Sequence, residues 1–539
     1  LYDKEPFGNV TLLVTADLHG HLQPHYLMEP PNLLAPQNLR NTPGYVAGEE
    51  FLRHWGIRPG SLEAYFMTCV DFPELARRFG VMGGGAYLTA LIRRQRELLG
   101  RDRVLTLDAG DTWVTSGLGL LTEGSAVVDW MNLTGYDHMV AHWEFTLGRE
   151  RFDERLQQLA ARFLSFNVVD DLFGDPLYEP YAIHQVSGYA IGVVGASFPY
   201  VRVAHPVRFT EGLSFGVREH ELQRYVDELR DEGVDVVVLL SHNGLPLDTG
   251  LARRVQGIDL IVTSHTHDIT PSVVRVGPTR IVSVGSGGKF LGRIDLQVRK
   301  GALEDVRLHL FPVLPAVLEP DPEAERLIEE ARAPFREKLD EVLGTTETLL
   351  FKRDTVFSTF DRLAGMAMEA AYPEVEIAFS PGFRWGTTVL PGQPVTFEKV
   401  LDFTALTYPE VYVFRMEGAR LKQVLEDIAE NVFQPDPFYQ QGGDMSRLHG
   451  ASYDLMLSAR QGDRIRNLTV RGRPLVPERQ YVVAAYGGNL QNAGTLLEKY
   501  EPRPIYDIVA EYVRQVKVVK VESAPNVRVL DQAYNPSPS

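Results

Sequence analysis

Val104-Leu105-Thr106-Leu107-Asp108-Ala109-Gly110-Asp111-Thr112-Trp113 is the stretch from which the fold is read. Apolar and β-branched residues run into an Asp-Ala-Gly-Asp turn, the pattern of a buried strand that delivers a carboxylate at its tip. A carboxylate placed there has two oxygens free and can bridge two metal ions. Four other stretches, far apart in sequence, end in the same way. Val10–Ala16 leads to Asp17-Leu18-His19-Gly20-His21, and His142 sits in Ala141-His142-Trp143-Glu144-Phe145-Thr146. Ser241-His242-Asn243-Gly244 follows Val-Asp-Val-Val-Val-Leu-Leu, and Ser264-His265-Thr266-His267 follows Leu-Ile-Val-Thr. A single histidine in a loop is usually only hydrogen-bonded, and a lone Asp-x-His is an equally weak signal. Most of these groups, however, stand at predicted strand ends, so we expect them to converge on Asp111. Imidazoles and carboxylates together suit Zn, Mn, Fe or Co better than Ca or Mg. The expected chemistry is hydrolysis by a metal pair in an open site.

The bulk properties bound the alternatives. At 539 residues two or three domains are expected, and 44% hydrophobic with 23% charged residues describes a globular chain with a large core. A net charge of −17 argues against a nucleic-acid partner, which would need a basic face. Apolar runs fall well short of a membrane span, so no membrane insertion is expected. The one cysteine, Cys69, rules out an internal disulfide and a cysteine-based zinc cluster, and reads as a structural thiol. The chain opens Leu1-Tyr2-Asp3-Lys4 without a basic or apolar leader, which reads as a processed start.

Residues 25–82 show turns but little periodicity and read as an insertion over one face. A helix is predicted from Ala86 to Leu99. After it, short apolar runs at Val104–Leu107, Phe163–Phe166, Tyr189–Val194, Val234–Leu240, Leu260–Thr263 and Arg280–Val284 alternate with stretches such as the helical Glu219–Glu232. This alternation means an α/β layered fold, in which ligands bind at the carboxyl ends of strands. Asp321-Pro322 is a cap and first-turn pair for a charged linker helix towards Leu343, with Gly344 as its stop. The expected organisation is a metal domain over 1–318, a linker helix over 319–345 and a substrate domain over 346–539. The polar tail from Asn535 to Ser539 reads as a loosely held end.

With these motifs in hand, the chain resembles the calcineurin-like metallophosphoesterases and, within them, the 5′-nucleotidase branch. Gly285-Ser286-Gly287-Gly288-Lys289-Phe290-Leu291-Gly292-Arg293 is similar to that branch's closing strand. Phe379-Ser380-Pro381-Gly382-Phe383-Arg384 and Ala485-Tyr486-Gly487-Gly488-Asn489 are similar to its substrate loops. The resemblance implies a four-layer αββα metal domain and a smaller α/β C-terminal domain. It also implies two divalent ions, one held by Asp17, His19, Asp111 and His267, the other by Asp111, His142, His242 and His265.

The chain departs from the nucleotidases where they have Asn-His-Glu-Phe-Asp and it has His142-Trp143-Glu144-Phe145-Thr146. His142 can still bind metal, but Trp143 cannot donate a proton to a leaving group, a step usually worth about 10²–10⁴ in rate. A sulfur leaving group needs no such help. Met445 and Val483 align with the nucleobase-stacking phenylalanines, and Thr388 with an anion-binding arginine, leaving Arg384 as the matched guanidinium. Both the His-Trp-Glu-Phe-Thr run and Gly-Gly-Asp-Met at 442–445 are similar to the thiosulfohydrolase family of the bacterial sulfur-oxidation (Sox) system. That resemblance implies a periplasmic di-manganese enzyme. Its substrate would be a cysteine S-thiosulfonate on the flexible C-terminal arm of a SoxYZ-type sulfur-carrier protein. In this reading Arg384 binds the sulfonate, Trp143 and Tyr486 line the path of the arm, and Asp108 orients its neighbours. Two alternatives stay open: a phosphoesterase with an altered pocket, and a non-catalytic metal protein that docks a carrier.

Overall fold

The computed structural model describes residues 1–535; of the tail expected to be loose, 536–539 lie outside the described residues. The chain divides into two compact units. The first comprises Leu1–His25, Gly80–Val114 and Leu118–Pro334; the second comprises Tyr26–Phe79, Thr115–Gly117 and the chain from Phe335 onward.

The first unit is built on two six-stranded sheets. One runs Ala302–Pro312, Phe290–Arg299, Val10–Thr15, Val104–Asp108, His138–Met139 and Arg162–Phe163; the other runs Val274–Val276, Thr279–Ser283, Leu260–Thr263, Val236–Ser241, Tyr189–Ala196 and Tyr181–Val186. Residues of both, among them Leu12, Leu107, Val193, Val238 and Val262, share one core, so the sheets pack face to face. Strands buried on both faces read as continuous apolar runs, as Val236–Ser241 does. Helix Gly85–Leu99 packs on one sheet, and Glu219–Asp231 and Leu245–Arg254 on the other, giving four αββα layers. Val10–Thr15, Val104–Asp108, His138–Met139, Val236–Ser241 and Leu260–Thr263 lie within parallel pairings, so their carboxyl ends gather at one edge of the sandwich.

In the second unit, a mixed sheet orders Arg447–His449, Ile377–Ser380, Gln480–Ala485, Glu410–Glu417 and Thr495–Leu496. Its core joins Ile377, Phe379 and Phe414 with Leu421 and Leu425 of helix Gly418–Val432.

Three expectations change. The stretch 25–82 carries helices Gly48–Trp55, Leu62–Met67 and Phe72–Phe79, and Tyr26–Phe79 groups with the second unit. Buried polar contacts tie it there: Arg353 donates to Glu29 (2.6 Å), and Met28 N to the Thr388 hydroxyl (3.0 Å). These helices are six to eight residues long, too short for a clear period in the sequence. Asp321 does cap a helix, accepting from Ala324 N at 3.0 Å, but that helix ends at Arg332. Pro334 lacks the donor to continue it, and a 3₁₀ turn, Ala333–Phe335, and the four-residue helix Arg336–Leu339 follow. Gly344 therefore stops nothing. It lies in strand Val342–Thr346, where a Cβ would sit 2.5 Å from Lys517 O. Lastly, the run Phe163–Phe166 contributes only Phe163 to a named strand, Arg162–Phe163.

Candidate metal centre

The strand ends that the sequence singled out meet in the first unit. Backbone bonds join the first two turns: Asp17 N donates to Gly110 O (2.9 Å), His19 N to Asp111 O (2.7 Å) and Gly20 N to Thr112 O (2.8 Å). Gly110 has φ +90°, and a Cβ on it would lie 2.8 Å from His242 Nδ1 and 3.0 Å from Val140 O, so the Asp-Ala-Gly-Asp turn requires glycine here. Five of the seven expected ligands, Asp17, His19, Asp111, His265 and His267, have φ between +48° and +75°. Such a backbone costs side-chain-bearing residues roughly 1–2 kcal/mol each, and strain gathered in this way marks a functional site.

The side chains converge as well. Asp111 Oδ2 lies 2.9 Å from His242 Nε2, 3.1 Å from His142 Nδ1 and 3.9 Å from His19 Nε2. Asp17 Oδ1 lies 3.6 Å from His267 Nε2 and 3.8 Å from His242 Nε2, while His19 Nε2 and His267 Nε2 are 3.0 Å apart. Two four-residue groups result, Asp17, His19, Asp111 and His267, and Asp111, His142, His242 and His265. Within each, the ligand atoms lie within 4.8 Å of one another, and Asp111 belongs to both. Nitrogens and carboxylate oxygens turned inward at these distances fit two divalent ions sharing one carboxylate. The nitrogen-rich donor set is that of a transition metal.

Without an ion, the charges frustrate one another. Burial raises the Asp17 carboxyl well above its usual range. Burial pushes Asp111 the same way, but His142 and His242 overcome it and hold Asp111 well below. Burial would depress His242; Asp111 reverses that and lifts it to about 9. Burial takes His19 down to about 4 and also lowers His142, which keeps their lone pairs available to a cation. A bound cation would relieve the frustration by favouring both carboxylates ionised and every imidazole neutral.

Surrounding groups hold the ligands in place. Ala109 O lies 2.6 Å from His242 Nδ1 and can only accept, so that nitrogen carries a hydrogen and Nε2, on the Asp111 side, is the nitrogen left to give a lone pair to an ion. Asp108 Oδ1 accepts from Gly110 N (3.0 Å) and the Thr112 hydroxyl (2.6 Å), and its Oδ2 from the Thr15 hydroxyl (2.7 Å). It thus braces the turn that carries Asp111. Trp143 N donates to Asp111 Oδ1 at 2.8 Å. Glu144 gathers His142 N (2.8 Å), Thr112 N (2.5 Å) and Trp113 N (3.2 Å), clasping the two ligand loops together.

The sequence reading missed His205. It is buried with its Nε2 2.9 Å from His142 Nε2 and its ring edge-on to Trp143, 4.4 Å between centroids. It follows the four-residue helix Val201–Ala204 and no strand, so the strand-end rule had nothing to catch.

In the second unit, Arg384 donates through Nε to Asp444 Oδ1 (3.1 Å) and through a terminal nitrogen to Gly443 O (2.9 Å). The ion pairs continue from Asp444 to Arg447 (3.3 Å), on to Asp361 (3.7 Å) and from there to Lys352 (2.6 Å). Tyr486 is buried, and burial with Asp361 nearby keeps its phenol protonated. Met445 and Val483 lie in the core, so neither offers a face for a nucleobase. Cys69 is buried, and burial pushes its thiol up to about 12, as befits a structural thiol.

Residues 342–498 match the 5′-nucleotidase, C-terminal domain family. The sulfate thiohydrolase SoxB of Thermus thermophilus is 53% identical, with a TM-score of 0.98 and 99% of each chain covered. A 5′-nucleotidase precursor, also from Thermus thermophilus, shares the fold at 22% identity, with a TM-score of 0.75 over 97% of this chain and 100% of that one. Among curated proteins, the trifunctional nucleotide phosphoesterase of Bacillus subtilis is 26% identical over 67% of this chain and 27% of its own length. The 5′-nucleotidase of Rattus norvegicus is 32% identical over 34% of this chain and 33% of its own. The chain thus spans about a third or less of these two curated relatives. Among the described residues no helix is long and apolar enough to cross a membrane.

Proposed function

The chain belongs to the SoxB sulfate thiohydrolase family, and from that premise we propose that it hydrolyses a cysteine S-thiosulfonate on a sulfur-carrier protein. It is a metal-dependent hydrolase with the fold of the 5′-nucleotidases. Water's oxygen bonds to the terminal sulfonate sulfur as the adjoining S–S bond breaks. The bond's electron pair goes to the carrier's sulfur, leaving a persulfide and releasing sulfate. Water's two protons are released to solvent, or one of them to the persulfide, so atoms and charge balance without any oxidant.

Asp17, His19, Asp111 and His267 would hold one ion, and Asp111, His142, His242 and His265 the other. Manganese is the metal we propose. Two such ions supply Lewis acidity and water acidified towards a pKa of about 7. The observation that carries the choice of bond is Trp143. It stands beside His142 and binds Asp111 through its backbone, and its indole N–H is far too weak an acid to protonate a leaving group. A persulfide leaves as a weak base and needs no acid. Arg384 is proposed as the sulfonate contact, its planar fork suiting a tetrahedral oxyanion. We assign Trp143 and Tyr486 to the path of the carrier's arm on the resemblance alone. The compartment proposed on the same ground is the periplasm.

Incubation with Mn²⁺ and a thiosulfonate-loaded cysteine peptide or carrier tests the reading. Sulfate release with no phosphate release from AMP supports it. Phosphate release alone favours a phosphoesterase, and release of neither from a metal-loaded protein leaves a docking protein.

A further inference from the structure

We propose that His205 is a positioning residue for the metal centre: it accepts a hydrogen bond from Nε2 of His142 and so turns the Nδ1 lone pair of His142 to the ion shared through Asp111. The two ring nitrogens of His142 face different partners. Nδ1 lies 3.1 Å from Asp111 Oδ2, the oxygen that His242 Nε2 also approaches at 2.9 Å. Nε2 lies 2.9 Å from His205 Nε2. An imidazole that gives one lone pair to a metal carries its hydrogen on the other nitrogen and needs an acceptor for it. For His242 that acceptor is a backbone carbonyl, Ala109 O, at 2.6 Å. His142 has instead a second imidazole, whose Nε2 must then be the unprotonated nitrogen.

The local chain fixes that second ring. His205 N donates to Val201 O at 3.0 Å, closing the helical turn Val201–Ala204, and Pro206 follows with φ −54°. Its ring meets the Trp143 ring edge-on at 4.4 Å, and Phe198 covers His142 at 4.1 Å. The indole at position 143 therefore does more than replace an acid. It forms one wall of the slot that orients His205, so His142, Trp143 and His205 act as a unit. An amide ligand at position 142, as in the nucleotidases, has no tautomer to fix and would need no such partner.

The test is metal binding, read separately from turnover. His205→Ala should weaken one of the two ions by about 10–100-fold, the usual effect of removing the group that orients a ligand histidine. The visible spectrum of the Co²⁺-substituted protein should change with it. His205→Gln, which keeps an acceptor, should restore much of the affinity. If His205→Ala binds both ions as tightly as the parent with an unchanged Co²⁺ spectrum, the role is refuted, whatever happens to the melting temperature. Should the alanine variant fail to fold, ¹⁵N-histidine spectra of the Zn²⁺-loaded parent decide. A proton on His142 Nε2 with an unprotonated His205 Nε2 supports the assignment; a metal-bound His205, or a proton on His142 Nδ1, overturns it. The proposal rests on the metal assignment and not on the substrate. A parent protein that binds no ions would sink that assignment, whereas two ions indifferent to His205 would sink only the positioning role.

Discussion

Asp108 separates a brace from a ligand, and a pair of substitutions reads the difference. It is fully buried and accepts three hydrogen bonds, from Gly110 N, the Thr112 hydroxyl and the Thr15 hydroxyl. In Asp108→Ala, Gly110 N and the Thr112 hydroxyl lose these bonds in a dry turn, while Thr15 keeps Tyr136 Oη at 3.0 Å. At ~1–3 kcal/mol for a stranded amide and ~0.5–1.5 for each of the two hydroxyl bonds, the loss is ~2–6 kcal/mol. The melting temperature of the first unit should fall by roughly 4–24 °C, at ~2–4 °C per kcal/mol. Metal content should fall too, because the turn carries Asp111. In Asp108→Asn the amide oxygen can keep Gly110 and Thr112, and the amide nitrogen donates to the Thr15 hydroxyl, which in turn donates to Tyr136. This change should cost about 1 kcal/mol or less at acid pH. Burial raises the Asp108 carboxyl to about 6. A raised carboxyl favours the fold below the unfolded value near 4, and that advantage is lost as pH rises through 6. The asparagine variant should therefore gain on the parent by about 2 kcal/mol between pH 4 and 7. Thermal melts at both pH values and metal analysis check these figures. If Asp108→Asn loses metal as fully as Asp108→Ala, the charge itself is required and the brace reading is wrong.

Gly110→Ala should empty the site while leaving a folded protein, since its Cβ would press on His242 Nδ1 at 2.8 Å and on the fixed Val140 O at 3.0 Å; metal analysis showing both ions retained contradicts this. Arg384→Ala should lower sulfate release at least tenfold with metal content unchanged, and Asp444→Ala, which frees a guanidinium now held at 3.1 Å, should raise KM more than it lowers kcat. Parental turnover in the first variant refutes the anion role. Burial depresses His138 to about 3 and His25 to about 4, so the unfolded chain takes up protons that the folded one refuses. Stability from these two is complete above about pH 7 and falls on acidification by roughly 2–3 kcal/mol per pH unit near pH 5. Uptake of less than one proton on unfolding at pH 5 would contradict it.

The apolar runs and the His and Asp residues behind them were enough to predict α/β layers and a convergence on Asp111, while the division into two ligand groups came from the family resemblance. A strand buried on both faces must be apolar throughout, and its polar end stands out by contrast. The same rule failed for residues 25–82, where eight-residue amphipathic helices leave too few turns to register a period, and for Gly344, whose close neighbour Lys517 is distant in sequence. Trp143 was legible as a missing acid because the change is one of residue type. What only the tertiary structure decided is how the ligands are oriented. The left-handed backbone at five of them, the splice between the Asp17 and Asp111 turns, and His205 behind His142 are contacts between segments tens of residues or more apart. A sequence states which side chains can bind a metal, because that is a property of their atoms; which nitrogen faces it depends on what packs behind the ring.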